Sequence, residues 1–486
     1  MAPANQLIIM ADEYMVGALG CAGHRVVKTP NLDRLAMRGV RFSNAYTPSP
    51  ICVPARAAFQ TGQYVHQIRH WDSAQPYDGT PKGWAHWLRA SGHRVVSVGK
   101  LHYRSSDYDN GFDPEILPLH VLNGQGWIPG ILRRDPMPFD ASGFAGGVGR
   151  GGSSYSEYDR NIADAALRWI NTDGSRADDK PWLMFVSFVS PHYPINAPDE
   201  FFDLYDDEQI DMPFCYRADE RPKHPAVRRI IDCSGYDRHF KDEDHVRLAR
   251  RAYYGLCSYI DHLLGEILVS LDENGLGDNT NIIFTSDHGE MLGNHGTWTK
   301  MVMYEDSAGI PMIMAGPDVP RGKVVDTPVS LVDIAPSIMQ CAGQDIPDGF
   351  DLPGHSLYDI AAADSDPDRT VFSEYHDGWS DTGAFMVRWG NWKYVHYEGY
   401  AAPQLFDLEN DPEERHDLGE DPEFANVCKD GAGRLRAIVD PQQANSQAFA
   451  DQESLINRLG GEDVIRNATG LYFDHTPLSE EADKGP

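Results

Sequence analysis

Short apolar runs bounded by turn residues recur along the first two thirds of the chain: QLIIM (6–10), RVVSVG (94–99), WLMFVSFV (182–189), NIIFTS (281–286) and IPMIMAG (310–316). Unbroken apolar runs of this length predict strands buried on both faces of a parallel sheet. Between them, residues 30–39, 82–92, 157–172 and 247–275 predict helices. The last three of these carry an apolar stripe, and Gly39, Gly92 and Gly275 stand where a helix C-cap belongs. Alternating strands and helices predict an α/β fold: a large, doubly wound sheet flanked by helices.

The stretch from about 104 to 155 is rich in Gly, Pro and Asp and predicts long loops over one edge of the sheet. After about 365 the pattern changes. AFMVRWGNWKYVHY (384–397) predicts a hairpin turning at Gly390-Asn391, and QLFDL (404–408) predicts one more strand. The chain therefore divides into a catalytic domain over 1–365 and a smaller antiparallel α+β subdomain over 366–486. The polar tail from 440 onward is expected to pack against a neighbouring copy in a homo-oligomer.

A length of 486 residues suits one large domain plus a small one. With 73 acidic against 42 basic residues the formal charge is −31, which repels nucleic acid and anionic membranes and excludes both as partners. Any anionic substrate needs a site that is locally positive against this background. No apolar run reaches the roughly 20 residues that span a bilayer. The first residues, MAPANQLIIMADEY, show no basic region followed by a long apolar stretch, so the expected location is cytoplasmic. The seven cysteines are widely spaced with no C-x-x-C pair, which argues against a disulfide scaffold or a zinc knuckle.

In an open parallel sheet, ligands bind beyond the carboxyl ends of the strands. Four of the predicted strands are followed there by chemistry-bearing residues: Asp12 and Glu13, Lys100 and His102, His192, and Asp287 and His288. Asp12, Asp287 and His288 suit one divalent cation. Carboxylates favour a hard ion such as Ca²⁺, and an imidazole shifts the preference toward Mn²⁺. Glu13 is either a further ligand or faces away and bonds to the backbone. Cys52 precedes Pro54, which fits the first position of a helix, so the thiol stands at a helix N-terminus where negative charge is favoured. Arg56 follows one turn later on nearly the same face. A buried structural cysteine and a thiolate nucleophile both remain open on these residues alone.

CVPAR (52–56) satisfies the pattern C-x-P-x-R. Together with IIMADE (8–13), TPNLDRLAMRGVRFSNAY (29–46), GKLH (99–102), SPHYP (190–194), FTSDHGEMLGNHG (284–296), WTK (298–300), NWKYVHY and LFDLENDPEE (405–414), it resembles the type I sulfatases of the alkaline phosphatase superfamily. The resemblance runs over nearly the whole chain and implies an alkaline phosphatase-like fold. It also implies a sulfuric ester hydrolase whose cysteine is oxidised to formylglycine by a formylglycine-generating enzyme, with a small anionic sulfate ester as substrate. By that resemblance Asp12, Asp287, His288 and modified residue 52 bind the metal, and Arg56 orients the hydrated aldehyde. Lys100, His192 and Lys300 surround the sulfate and leaving oxygens, and His102 takes the proton that lets the covalent intermediate collapse.

The acid pairs depart from the commoner family set. Asp12-Glu13 and Asp287-His288 resemble the choline-sulfatase and phosphonate monoester hydrolase branches, which leaves calcium or manganese as the ion and a phosphonate or phosphodiester hydrolase as the alternative reaction. GWIPG (126–130), SEYHDG (373–378) and YFDHTP (472–477) are loosely similar to the choline-sulfatase branch. They nominate Trp127, Glu374 and Asp474 as a substrate enclosure by cation–π and ionic contact.

Overall fold

The computed structural model describes residues 3–174 and 180–468. Its centre is an eight-stranded sheet built from β1 (Asn5–Asp12), β2 (Val40–Phe42), β3 (Val95–Lys100), β4 (Glu115–Leu119), β5 (Leu183–Pro191), β6 (Thr280–Ser286), β7 (Met312–Ala315) and β8 (Lys323–Val325). The spatial order is β8-β2-β7-β6-β1-β5-β3-β4. All eight residues of β1 are buried. Its side chains alternate, Leu7, Ile9 and Ala11 entering one core while Ile8 and Met10 enter the other. A strand buried on both faces has no room for polar alternation, which is why these strands read as continuous apolar runs.

Helices cover both faces. On one lie α1 (Pro30–Arg38), α4 (Ser154–Trp169) and α5 (Glu243–Glu273). On the other lie α2 (Cys52–Thr61), α3 (Trp84–Ala90) and α6 (Ile334–Cys341). Helices α4 and α5 start earlier than their apolar stripes, because Ser153 and Asp242 cap them by accepting the backbone N–H of Ser156 and His245.

The run 310–316 was expected to form a parallel strand; β7 instead pairs antiparallel with both β6 and β2. No helix long enough for a crossover separates it from β6, so the chain turns back alongside that strand. The stretch 104–155 is not loop throughout, since it contributes the parallel edge strand β4.

A second, antiparallel sheet follows, with β9 (Val371–Tyr375), β10 (Ala384–Trp389), β11 (Trp392–Tyr397) and β12 (Gln404–Asp407) in sequential order. The expected hairpin is β10–β11, joined at Gly390-Asn391, where Gly390 has φ 53°. One face of this sheet, including Val371, Tyr375, Met386, Val395 and Phe406, merges with the core around α5. The other face packs against α7 (Ala425–Ile438) and α8 (Pro441–Arg458) through Leu435, Ala444 and Ala448. The stretch after 440 is expected to meet a neighbouring copy, which a single chain does not test. Its described part packs on its own chain, with buried Gln452 donating to Asp72 Oδ2 and to the His376 carbonyl at 2.8 Å each. Among the described residues no helix is long and apolar enough to cross a membrane.

Candidate active site

Four neighbouring strands, β6, β1, β5 and β3, end at one edge of the sheet and deliver Asp287 and His288, Asp12 and Glu13, His192, and Lys100 and His102 respectively. The N-terminus of α2 meets them there. Ile51, with extended backbone, precedes Cys52, the first helical residue, and the helix closes at Gly62 with φ 69°. Pro54 is thus the third helical position rather than the first. It remains harmless there, because none of the first four N–H groups has an intrahelical acceptor.

One ligand atom from each of Asp12, Cys52, Asp287 and His288 lies within 4.8 Å of every other. All four side chains are buried. Cys52 Sγ is 3.0 Å from His288 Nε2 and 3.6 Å from Asp12 Oδ1. His288 Nδ1 lies 3.0 Å from the Gly289 carbonyl, an arrangement in which Nδ1 carries the proton and the Nε2 lone pair faces the cluster. Asp12, Glu13 and His192 form a second group of the same kind.

Arg56 is the anchor. Its Nε donates to Asp287 Oδ2 at 2.7 Å and Nη2 to Asp12 Oδ2 at 3.1 Å. Nη1 donates to the Lys100 carbonyl at 2.8 Å and to Ser187 Oγ at 2.9 Å. The guanidinium thus fixes both carboxylates of the cluster against β3 and β5. Lys100 Nζ lies 2.7 Å from Asp12 Oδ2. Glu13 Oε2 is 2.8 Å from Lys300 Nζ and 3.3 Å from His192 Nε2, whereas Glu13 Oε1 is buried without a hydrogen-bond partner.

Burial raises the Asp12 carboxyl, but Lys100, His192, Arg56 and His288 outweigh it and hold the group well below the usual range. Glu13 is pushed up to about 8, first by burial and then by Glu290 and Asp12, against the pull of Lys300. Burial and Asp12 raise the Cys52 thiol well above the ordinary cysteine value. Burial and the two lysines keep His192 neutral, well below its ordinary value. Lys300 stays charged, since Cys52, Glu13 and Asp12 outweigh its burial.

His102 follows β3 with a left-handed backbone, φ 58°, and a buried side chain. Trp127 is half-buried and meets Trp379 edge to face at 5.0 Å. A Cβ on Gly378 would come within 2.4 Å of the Trp127 ring, so the indole requires glycine there. Ring contacts continue from Trp379 through Tyr236, Phe144 and Tyr193 to His192. Glu374, expected to face the substrate, has no free oxygen. It is fully buried, with Oε1 2.8 Å from both the backbone N and Nδ1 of His66 and Oε2 2.9 Å from His376 Nε2. Despite burial, those two histidines hold its carboxyl down to about 2. Asp474 lies outside the described residues.

Several supporting residues were not singled out from sequence. Ser187 braces Arg56. Asp159 accepts the N–H groups of Val189 and Ser190, where β5 turns toward His192. Glu290 accepts from Leu292 and Thr299 and so shapes the segment leading to Lys300. The run DHGE already contained Glu290, three residues after Asp287.

A family model described as Sulfatase matches residues 4–344, and one described as N-sulphoglucosamine sulphohydrolase, C-terminal, matches 293–440. The chain belongs to the sulfatase family. It is an enzyme, a hydrolase of sulfate esters. The chain is 33% identical to a choline-sulfatase of Rhizobium meliloti (strain 1021) over 99% of its own length and 95% of that protein's. It is 32% identical to arylsulfatase K of Danio rerio, over 90% of this chain and 84% of the relative. Among solved structures, the phosphonate monoester hydrolase from Silicibacter pomeroyi superposes with a TM-score of 0.72 at 24% identity, covering 91% of this chain and 96% of the other, and shares the fold.

Proposed function

We propose that this sulfatase cleaves a sulfate monoester with a formylglycine made from Cys52 and one divalent cation held by Asp12, Asp287 and His288. The observation that carries the reading is the placing of Cys52 Sγ among those three ligands, with Lys100, Lys300 and His192 on the rim. The donor set fits a cation: two buried carboxylates and an imidazole lone pair converge, with Glu13 in a second group beside Asp12 and His192. The imidazole favours manganese over calcium.

When present, the cation and the hydrated formylglycine supply charge for a sulfate oxygen and the attacking oxygen. The remaining work falls to this chain's own side chains. Arg56 holds the Asp12 and Asp287 carboxylates in place. Lys100 and Lys300 bring fixed positive charge to the sulfate oxygens, preorganised by Asp12 and Glu13. His102 serves as the base that takes the proton of the second hydroxyl of residue 52. Neutral His192 keeps its proton on Nδ1, which donates to the Tyr193 carbonyl, so Nε2 faces the site as an acceptor and the leaving oxygen takes its proton from Lys300 or solvent.

The organic half of the ester is assigned to Trp127, a half-buried indole braced edge to face by buried Trp379, whose ring suits a quaternary ammonium by cation–π contact. Choline sulfate is therefore the first ester to assay, as the name of the Rhizobium relative also suggests. The seven cysteines are all free thiols, which supports a reducing, cytoplasmic setting.

The test is intact mass and turnover of protein produced beside a formylglycine-generating enzyme. The expected result is a cysteine-to-aldehyde mass change confined to the peptide with Cys52, together with faster hydrolysis of aryl and choline sulfates than of an aryl phosphonate. Full activity in protein that keeps the thiol overturns the nucleophile. Faster phosphonate turnover favours the other reaction, to which the Asp287-His288 pair also points.

A further inference from the structure

Lys300 stands on a backbone that two neighbours hold in an unfavourable conformation. Thr299 has φ 65° and Met301 has φ 86°, left-handed values that non-glycine residues rarely adopt. Such geometry persists only where the surroundings over-determine it. On the N-terminal side the catalytic domain does so: Thr299 N donates to Glu290 Oε1 at 2.7 Å, and Met301 N to the Pro50 carbonyl at 3.1 Å, two residues before Cys52.

On the C-terminal side the small sheet takes over. Lys393 lies on β11, whose Trp392 and Tyr394 face α7, so its side chain turns the opposite way, into the catalytic domain. It is wholly buried, and its Nζ meets three oxygens: the Met303 carbonyl at 3.0 Å, Glu305 Oε1 at 2.5 Å and Glu414 Oε1 at 2.8 Å. Glu414 Oε2 accepts the Glu305 backbone N–H at 2.6 Å, and Gln404 on β12 donates to the Tyr304 hydroxyl at 3.3 Å. The segment Met303–Glu305 is thus clasped from the second sheet within five residues of Lys300. Packing alone needs no charge at such a position, and a buried ammonium is costly to keep.

We propose that Lys393 is a positioning residue for Lys300: its ammonium fixes the end of the segment whose strained start aims Lys300 at the sulfate group. The small sheet is thereby part of the catalytic apparatus although it contributes no group to the reacting atoms. The proposal rests on the reading of Lys300 as a sulfate-binding residue.

The test is a double-mutant cycle in the matured, metal-loaded enzyme with an aryl sulfate, using Lys393→Met, Lys300→Ala and both together. The expected result is a fall in kcat/KM of at least about tenfold for Lys393→Met in the wild-type background. In the Lys300→Ala background the same change costs less than about threefold. Equal losses in both backgrounds, or activity of Lys393→Met close to wild type, overturn the proposal. Should Lys393→Met not fold, Glu414→Gln in the same cycle gives the same two readings. A wild-type enzyme that cleaves no sulfate ester defeats the proposed function separately. The positioning role is then read from binding of inorganic sulfate by calorimetry, where Lys393→Met and Lys300→Ala weaken binding non-additively if it holds, and Lys393→Met leaves binding unchanged if it does not.

Discussion

Two clusters of buried charge sit a few residues apart in this molecule, and they are built differently. At the site, Asp12, Glu13 and Asp287 face Arg56, Lys100 and Lys300. At the junction with the small sheet, Glu305 and Glu414 face Lys393, while Arg388 Nε donates to the Tyr46 hydroxyl at 3.1 Å. The junction centres on one cation of its own: the ammonium lies within 3.0 Å of three oxygens, and the Tyr46 hydroxyl donates to Glu305, although Glu414 Oε1 pairs with the ammonium by charge and not by an aligned hydrogen bond. The site does not. Asp12 Oδ1 and Asp287 Oδ1 lie 4.0 and 3.8 Å from the same His288 nitrogen, beside a thiol; Asp287 Oδ1 accepts the backbone N–H groups of Glu13 and His288, and Glu13 Oε1 has no aligned hydrogen-bond partner. Carboxylates gathered around one thiol and one imidazole are costly to bury, so the lesson of the contrast is that the site's ligand atoms converge on a place for a cation from outside, whereas the junction's carboxylates converge on an ammonium of the chain's own.

The largest expected effect comes from removing the thiol at the open cluster. Cys52→Ala should lower sulfate-ester turnover by at least about 10³-fold, the scale of losing a nucleophile. Its thermal unfolding midpoint should stay level or rise, because a buried polar group beside two carboxylates has gone. A midpoint lowered as far as that of a junction variant would mean that the site, too, is structural.

Next in size is the response to metal. A ligand that binds only the folded state stabilises it by about 2.7 kcal/mol at a hundred times its dissociation constant. Millimolar Mn²⁺ or Ca²⁺ should therefore raise the unfolding midpoint of chelator-treated protein. The shift should vanish in Asp287→Asn and persist in Glu414→Gln. A shift that survives Asp287→Asn would place the cation elsewhere and erase the distinction between the clusters.

The open cluster was largely legible in the chain because its members are tied to features that local sequence encodes. Asp12 and Lys100 end buried strands and His192 and Asp287 stand just past them, and buried strands announce themselves as apolar runs. What local sequence does not encode was lost. The orientation of β7 was misread because a strand buried on both faces looks the same in either direction. Edge strand β4 was hidden by Pro118, which an edge tolerates, and by its Gly- and Asp-rich surroundings. Helix α8 passed for a polar tail because its buried stripe is Ala444, Ala448 and Gln452. Glu374 looked available for a substrate cation, and only the arrival of His66, 308 residues away, shows that it is already engaged. The closed cluster went unread for the same reason, since Lys393 and Glu305 are ordinary charged residues until the two sheets meet.

The smallest effect separates the clusters by acid rather than by mutation. His295 borders the closed one, stacking on Tyr304 at 4.1 Å with Nε2 2.9 Å from the Glu413 carbonyl. Burial first, and then Arg415, lower its pKa to about 4. An unfolded histidine titrates near 6.5, so between those values the unfolded chain takes up a proton that the folded protein refuses. The contribution is complete above that upper value and is lost as the pH falls toward about 4. Its slope is at most one proton, about 1.4 kcal/mol per pH unit. Denaturant unfolding at pH 7, 6 and 5 should show a shallower acid loss in His295→Gln than in the wild type, whatever the two proteins' absolute stabilities. Parallel profiles would assign the acid sensitivity to another group, with Glu414, pushed up to about 7 by burial, the first to examine at the junction.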